Sequence, residues 1–339
     1  MPLHDILKKL AARQNLTADE TQSALDRIFT GDIPREDIAA FLLGLHEIGE
    51  TAEEILGAAR SMRGGMLALN APKGAIDIVG TGGDYHGTLN VSTAAAFVVA
   101  GCGVVVAKHG NRASTSLSGS SDALRELGVS LEPDWNILEA CLHEAGIAFL
   151  FAPRHHPAMR HVADVRRELG VRTIFNLLGP LTNPANVKRH LIGTYDGAWL
   201  KPMAEALHEL GSERAWLAHG HDGLDEIATT GATSVVELRH GQTTTFTLTP
   251  ESFGLPSATL ESLKGSDAKA NAEAIRRLLG GERGPYRDIV LANAAAALIV
   301  SDKAETLEQG VALAAASLDS GAARDKLATL VALSNRKPA

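Results

Sequence analysis

Two short apolar runs, each followed by a glycine-rich polar loop and then a helix, constrain this 339-residue chain more than any other feature. The first run, residues 76–79, ends in Gly-Thr-Gly-Gly-Asp, and the second, residues 104–107, ends in Lys-His-Gly-Asn-Arg. Residues 114–121 are almost entirely Ser, Thr and Gly. Such loops build an anion site from backbone N–H groups, here with Lys108 and Arg112 as cations. The sequence therefore predicts a site for a phosphate-rich small molecule at the ends of buried strands.

Two common nucleotide-binding motifs do not fit these loops. Gly80 and Gly82 begin like a dinucleotide fingerprint, but its third glycine position is Tyr85 and the helix begins too late. No Gly-Lys-Ser/Thr sequence closes the first loop, which argues against a Walker A site. The loops therefore indicate a phosphate site of another type.

Strands and helices alternate after residue 74, and this alternation predicts an α/β domain with a central, mostly parallel sheet flanked by helices. Parallel strands are predicted at residues 76–79, 104–107, 147–151, 191–195 and 215–218. An antiparallel hairpin is predicted at residues 235–238 and 243–248. Helices are predicted at residues 122–127, 157–169, 202–210, 268–279 and 289–318.

The residues before about 72 indicate helices alone and predict a small all-helical domain ahead of the sheet. Capping-box sequences begin at Thr17 and Thr51, and Pro34 starts a helix between them. That helix carries apolar residues at helical spacing, namely Ile38, Phe41, Leu42 and Leu45. The core of a helical bundle is the interpretation we favour for most of them, and an apolar contact surface is the alternative.

The net charge of −8, without a basic run, argues against a nucleic-acid or membrane surface. Cys102 and Cys141 lie in apolar helical contexts, so neither a disulfide framework nor a thiolate metal cluster is predicted. Residues 1–16 lack the apolar core of a signal peptide, and no apolar run has membrane-spanning length without Gly or charge breaks. We therefore expect a cytoplasmic protein with neither a nucleic-acid nor a membrane partner.

Four motifs, in order along nearly the whole chain, resemble those of the anthranilate phosphoribosyltransferases of tryptophan biosynthesis: residues 80–84, 90–93, 108–112 and 172–181. The resemblance implies a homodimer formed through the helical domain and a hinge across an active-site cleft. It also implies two domains, a discontinuous helical one of residues 1–70 joined by about 165–185, and a larger α/β one of residues 74–164 and 186–339.

The implied reaction, the second step from chorismate, displaces pyrophosphate from C1 of 5-phosphoribosyl-1-pyrophosphate (PRPP) by the amino group of anthranilate. Displacement at an anomeric carbon passes through an oxocarbenium-like state, so the enzyme chiefly stabilises departing charge, here with Lys108, and aligns two reactants. The aryl amine is neutral at pH 7, so no dedicated general base is expected. The resemblance implies contacts to PRPP from Gly80, Gly83, Asp84, Thr88, Asn90, Val91, Ser92, Thr93, Lys108, His109, Gly110, Asn111, Arg112, Ala113, Ser114, Thr115, Ser116 and Ser120.

The resemblance implies that Gly80, Asn111 and Arg166 bind anthranilate. Arg166 is expected to fork onto the carboxylate and Asn111 to orient the amine. The adjacent Arg167 belongs on a different face of the helix. Mg²⁺ is the expected counter-charge, because this ion pairs with substrate phosphates through only one or two protein carboxylates. Two ions per site are implied, with ligands from Ser92, Asp225 and Glu226.

Predictions also follow for other residues near the motifs. His155 and His156 are expected in a wall of the acceptor channel rather than on a metal, because adjacent side chains diverge in an extended segment. His109 is expected to position its loop without titrating. Leu89 stands where the family more often has an aromatic residue, and the Tyr85–His86 pair enlarges a usually small turn. Neither departure removes a polar ligand.

Two rival functions stay open from sequence alone. A pyrimidine nucleoside phosphorylase shares this fold, but the motif at 108–112 and the acids at 225 and 226 favour the transferase. A catalytically silent, nucleic-acid-binding relative of the same fold would need a basic face and lost ligands, whereas this chain is acidic and keeps them.

Overall fold

The chain begins with four helices that pack as a small bundle in the computed structural model, which describes residues 1–112 and 118–337. They are α1 (Leu3–Ala11), α2 (Ala18–Ile28), α3 (Arg35–Ile48) and α4 (Ala52–Gly64). Thr17 and Thr51 each form a complete capping box, with a glutamate three residues later closing the reciprocal hydrogen bond. Both predicted helix starts are therefore confirmed.

Seven strands form one sheet in the remainder of the chain. They are β1 (Ile76–Gly80), β2 (Val106–Gly110), β3 (Ile147–Phe151), β4 (Arg189–Gly193), β5 (Arg214–Gly220), β6 (Thr233–Arg239) and β7 (Gln242–Leu248). Their order across the sheet is β3-β2-β1-β4-β5-β6-β7. The first five strands are parallel, and β6 and β7 continue the sheet as an antiparallel hairpin. The predicted α/β class and mostly parallel sheet are confirmed.

Helices flank the sheet on both faces. The α-helices are α5 (Val91–Gly101), α6 (Ser120–Glu126), α7 (Trp135–Ala140), α8 (Ala152–His155), α9 (Arg160–Leu169), α10 (Phe175–Leu178), α11 (Leu200–Glu209), α12 (Ala268–Leu279), α13 (Pro285–Val300), α14 (Leu307–Asp319) and α15 (Ala322–Ser334). A π-helical turn lies at Cys141–Ala145, and 3₁₀ turns lie at Pro157–Met159, Gly179–Leu181, Gly197–Trp199, Pro250–Phe253 and Leu260–Leu263. Within the described residues, no helix is both long and apolar enough to cross a membrane.

Several predicted boundaries differ from the structure, and two of them differ for clear local reasons. The second strand begins at Val106 rather than at Val104, because the Val104 N–H still bonds to the Val99 carbonyl in the turn that ends α5. The single helix predicted over residues 289–318 is two helices, α13 and α14. Between them Asp302 adopts a left-handed backbone (φ +55°), and Thr306 caps the second helix.

The segment around α9 returns to the helical bundle. Val162 and Val165 are buried in the same apolar core as Phe41 of α3, and α9 packs against α3. This core continues onto one face of the sheet through Ile192 and Leu217. A core that runs from the bundle onto the sheet does not by itself divide the chain into two domains. The predicted domain boundaries, at residues 1–70, 74–164, about 165–185 and 186–339, therefore stay a prediction.

The position of the cleft follows from the sheet topology. The chain leaves β1 towards β2 on one side, and it later returns to β4 on the other side. Neighbouring connections therefore diverge at the carboxyl ends of β1 and β4, and open α/β sheets bind ligands in the crevice at such a point.

Candidate active site

A cleft of about 290 Å³ opens at this crevice, between the ends of the strands and the segment from α9 to α10. Its wall includes Gly80, Gly83, Asp84, Thr88, Asn90, Val91, Ser92, Thr93, Lys108, His109, Gly110, Asn111, Arg112, Ser120, Arg166, Asp225 and Glu226. Four further predicted residues lie outside the described part of the chain: Ala113, Ser114, Thr115 and Ser116. The fold thus gathers every predicted site residue that the structure describes, and their individual roles stay predictions.

The glycine loop after β1 is shaped by an acidic loop that packs against it. The Gly82 N–H donates to Asp225 Oδ2 at 2.7 Å. A methyl group on Gly80 or on Gly193 would overlap Asp225, so only glycine permits this approach at the ends of β1 and β4. Gly82 and Gly83 have φ of +67° and +80°, a left-handed backbone that favours glycine. The loop is therefore held in place by the carboxylate that it faces.

The N-terminus of α5 lies at the wall of the cleft. Asn90 precedes the helix without a side-chain cap, and the Ser92 N–H donates to Glu226 Oε1 at 3.0 Å. An anion is favoured at this position by the helix dipole. In this structure the carboxylate of Glu226 occupies it.

Lys108 is a buried cation at the floor of the cleft, with only 3% of its surface exposed. Its Nζ donates to the Ile78 carbonyl at 2.5 Å and to Ser92 Oγ at 3.3 Å. Burial lowers the pKa of Lys108, and the charges of Asp77 and Glu226 oppose that effect. The ammonium is therefore fixed in position and surrounded by acids.

Sequence reasoning missed the hydrogen-bonded pair of Asp77 and Asn183, which lies buried near Lys108. Asp77 is fully buried in β1, where it accepts from the His109 N–H at 3.1 Å and from Asn183 Nδ2 at 2.8 Å. Burial raises the pKa of Asp77 to about 6, although these hydrogen bonds and Lys108 lower it. The signal that could have revealed this residue is a carboxylate inside an otherwise apolar strand.

Asp225 and Glu226 form an acid pair on the cleft wall. Burial raises the pKa of Asp225 well above its usual range, and the neighbouring charges of Asp84 and Glu226 raise it further. Burial likewise raises the pKa of Glu226 to about 7, with Lys108 acting in the opposite direction. Two neighbouring carboxylates that are buried repel each other, and a bound cation would offset this repulsion, so the pair suits a cation site.

The donor set agrees with Mg²⁺ rather than with a metal held by the protein alone. The described residues contain no cluster of three or more His, Cys, Asp or Glu side chains arranged to hold an ion. Mg²⁺ bound together with substrate phosphates needs only one or two protein carboxylates, and Asp225 and Glu226 are the residues predicted to supply them.

The structure separates the two adjacent arginines of α9. Arg166 lines the cleft, half-buried, with its guanidinium 5.1 Å from the ring centre of Phe175. Arg167 points outward, where its side chain is 74% exposed and pairs with Asp164 at 2.6 Å. Only Arg166 is therefore placed to meet a ligand in the cleft.

Three histidines lie at or near the cleft. His109 lines the cleft and its Nδ1 bonds to the Gly179 carbonyl at 2.9 Å. His155 and His156 are buried and are not among the described residues of the cleft wall, and their place in the wall of an acceptor channel stays a prediction. His155 bonds to the Leu67 carbonyl at 2.8 Å, and His156 packs against the ring of His109. Burial lowers the pKa of His109 to about 3 and that of His156 to about 4, so both rings are neutral at pH 7.

Arg172 is a second feature that sequence reasoning missed. Its guanidinium lies 4.0 Å from the ring centre of Tyr195 and 5.0 Å from that of Tyr85, and it donates to the Gly83 carbonyl. Tyr85 has a left-handed backbone (φ +60°), which this stacking helps to hold. Arg172 thereby ties the segment before α10 to the glycine loop.

Comparisons with known proteins agree with this architecture. A family model described as the glycosyl transferase family a/b domain matches residues 72–324, and one described as the helical bundle domain of the same family matches residues 4–64. The anthranilate phosphoribosyltransferase of Parvibaculum lavamentivorans is 55% identical over 98% of this chain and 97% of its own length. The enzyme of that name from Rhodopseudomonas palustris strain TIE-1 is 53% identical over 97% of both.

Solved structures give the same result. The anthranilate phosphoribosyltransferase of Thermus thermophilus superposes with a TM-score of 0.92 at 44% identity, covering 97% of this chain and 99% of that one. The Saccharomyces cerevisiae enzyme, in complex with PRPP and Mg, gives a TM-score of 0.90 at 30% identity, covering 98% and 97%. By sequence and by fold, this chain belongs to the anthranilate phosphoribosyltransferase family.

Proposed function

We propose that this chain transfers the 5-phosphoribosyl group of PRPP to the amino group of anthranilate, giving N-(5-phosphoribosyl)anthranilate and pyrophosphate in tryptophan biosynthesis. The observation that carries the proposal is the convergence in one cleft of two glycine loops, a fixed ammonium, an acid pair and Arg166. The names of the relatives support it, as do the yeast structures with PRPP and Mg and with 4-fluoroanthranilate.

The donor takes the side of the cleft nearest the strand ends. Backbone N–H groups of the glycine loop and of the first turn of α5 hold the pyrophosphate. Lys108, whose Nζ lies 3.3 Å from Ser92 Oγ, meets the negative charge that grows as the C1–O bond breaks. Because the ammonium is already fixed by the Ile78 carbonyl, little reorganisation is needed when that charge appears.

The acceptor enters from the side of α9. Arg166 forks onto the carboxylate of anthranilate, and Asn111 orients the amine towards C1. The amine attacks as a neutral nucleophile, so the site needs no strong base. His109 agrees with this requirement, because a ring whose pKa is lowered to about 3 is a weak proton acceptor at pH 7.

Mg²⁺ completes the donor site in this proposal. Asp225 and Glu226 would hold the ion, with Ser92 Oγ as a further ligand, and two ions per site are proposed. A bound ion would supply positive charge beside the departing pyrophosphate. The pKa values of both acids are raised first by burial and then by neighbouring carboxylates, and a bound cation would stabilise the charged forms of both, which supports this assignment.

We propose a cytoplasmic homodimer formed through the helical domain. Its contact surface must use residues other than Ile38, Phe41, Leu42 and Leu45, since these are at most 3% exposed and form the bundle core. Light scattering coupled to size-exclusion chromatography tests the dimer, and a monomer at micromolar concentration would refute it.

The activity is tested by following the fluorescence of anthranilate as purified protein consumes it. We expect loss of the signal with PRPP and Mg²⁺, and no loss when PRPP is omitted or when EDTA is added. No loss from folded protein under complete conditions would overturn the proposal. Phosphorolysis of thymidine or uridine would then be measured, and heparin retention would test nucleic-acid binding.

A further inference from the structure

A second cavity, of about 370 Å³, lies beside the loop of residues 81–90 that joins β1 to α5, here called the donor loop, rather than in the cleft. It is bounded by one face of α12, by the start of α13 and by the segment that follows the 3₁₀ turn at Leu260–Leu263. Among the described residues of its wall, only Leu89 also lines the cleft. Nothing in the proposed transfer reaction uses this cavity.

The wall of the second cavity is rich in cations, although the chain as a whole is acidic. Arg287 lines it and is only 6% exposed. Its Nη2 donates to Asp319 at 2.7 Å, while its buried Nη1 makes no hydrogen bond with any described residue. Arg283 lines the same wall, is exposed, and forms no ion pair within the described part of the chain. Two positive groups therefore lack a full set of acceptors.

The first turn of α13 adds backbone donors beside these arginines. Gly284, with φ +135°, leads into Pro285, and the helix has no side-chain cap on its N-terminal N–H groups. The first turn contains Asp288, but this acid does not line the cavity. An uncapped N-terminus beside an incompletely bonded, buried guanidinium is the arrangement that binds a phosphate group.

Carboxylates near the cavity are largely engaged by other cations. Glu282, the one acid among the described residues of the wall, pairs with Arg277 at 2.7 Å. Lys264 pairs with Glu261 at 2.9 Å, outside the wall. The wall also has an apolar part, formed by Leu89, Ala270, Ala274, Leu278, Pro285 and the ring of Tyr286, beside the polar side chains of Ser262, Ser266 and Asn271. This composition suits an anion that carries an organic body more than it suits a free ion.

The second cavity is joined to the donor loop through Asn90. Asn271 Nδ2 donates to Asn90 Oδ1 at 3.0 Å, and the Tyr286 hydroxyl donates to the Asn90 carbonyl at 3.1 Å. The Gly265 N–H bonds to the Gly87 carbonyl at 2.9 Å. Asn271, Tyr286 and Gly265 all line the cavity, so an occupant would bear directly on the residues that begin α5.

We propose that this cavity is a second anion site, which takes a small organic phosphate on Arg287, Arg283 and the first turn of α13. Binding there stiffens the loop that precedes α5 through Asn271 and Tyr286. The site is separate from the PRPP cleft, and its existence does not depend on the transferase activity.

Calorimetric titration tests the site directly, with phenyl phosphate and inorganic phosphate as probes and no PRPP present. Arg283→Gln should weaken binding of phenyl phosphate about tenfold, the loss expected when a charge-assisted hydrogen bond is removed. Lys269→Gln removes the same charge from exposed α12 surface beside the cavity, and it should leave binding unchanged. Tighter binding of phenyl phosphate than of inorganic phosphate supports an organic ligand. Equal binding of the two probes would overturn the organic part of the proposal, because the site would then recognise the phosphate group alone.

A crystal soaked with phenyl phosphate gives the position of the ligand. Density between α12 and α13 is the expected result. Density in the PRPP cleft alone, or affinity that Arg283→Gln does not change, would overturn the site. The effect on the donor loop rests on the proposed transfer activity and is measured separately. Phenyl phosphate should change the KM for PRPP, and Arg283→Gln should abolish that change.

Discussion

Replacing Arg166 by alanine should weaken the binding of anthranilate and leave that of PRPP nearly unchanged. The guanidinium is half-buried against the ring of Phe175, so its hydrogen bonds to a carboxylate are partly shielded from water. A net hydrogen bond to a charged group contributes about 1.5 to 3 kcal/mol. Since 1.4 kcal/mol is a factor of ten, the KM for anthranilate should rise about 10- to 100-fold.

Arg167→Ala is the matched control, because it removes the same side chain from the adjacent position. Arg167 is 74% exposed and bonds to Asp164, so its loss should change neither KM by more than about twofold, as usual for surface ion pairs. Initial rates follow from anthranilate fluorescence at saturating PRPP and Mg²⁺. Equal effects of the two substitutions, or a comparable rise in the KM for PRPP with Arg166→Ala, would refute the assignment of Arg166 to the acceptor.

Three further predictions concern the acid loop and the buried histidines. Gly193→Ala should destabilise the protein by about 1 to 3 kcal/mol in urea unfolding, because the methyl group overlaps the backbone of Asp225. In Gly64→Ala the added methyl group meets no atom within 4 Å, so this variant should lose no free energy of unfolding. Equal stability of the two variants would contradict the overlap at Gly193. Asp225→Ala with Glu226→Ala should lower kcat and weaken the dependence of the rate on Mg²⁺; an unchanged Mg²⁺ titration would remove the acid pair from the metal site. Burial lowers the pKa of His190 to about 3, so this ring is neutral in the fold and protonated in the unfolded chain below about pH 6.5. The contribution of His190 to the free energy of unfolding should therefore fall by up to about 1.4 kcal/mol per pH unit as the pH decreases from 6.5 towards 5. In urea unfolding at several pH values, His190→Gln should make the free energy of unfolding depend less steeply on pH. The same pH dependence in both proteins would refute the prediction.

The sequence pattern predicted the sheet well because strand ends carry strong local signals. Strand β1 begins at the predicted residue, and β2 begins two residues later than predicted and continues through Lys108 and His109 to Gly110. The predicted helix over residues 289–318 failed for the opposite reason. Alanine-rich segments on both sides of the break have the same helical pattern, so the prediction joined them into one helix. The local signals of the break are Asp302, with its left-handed backbone, and the N-cap at Thr306.

The parts of the site that sequence reasoning missed depend on distant contacts. Asn183 lies 106 positions from Asp77, and Arg172 lies 89 positions from Gly83. Local patterns contain no information about such pairs, whereas the loops after β1 and β2 are adjacent in space because parallel neighbours end at one edge. The convergence of those loops was therefore predictable, and the network that supports them was not.

Gly80 shows how one residue serves two requirements at once. Its sequence context indicates close approach of a phosphate, yet in the fold its missing side chain makes room for Asp225. Gly193, its register partner on β4, does the same, and the Gly82 N–H then fixes the carboxylate of Asp225. The acid loop is thus seated on two strand ends rather than on mobile loops. The position at which we propose Mg²⁺ to bind is consequently set by the ends of two neighbouring strands of the sheet.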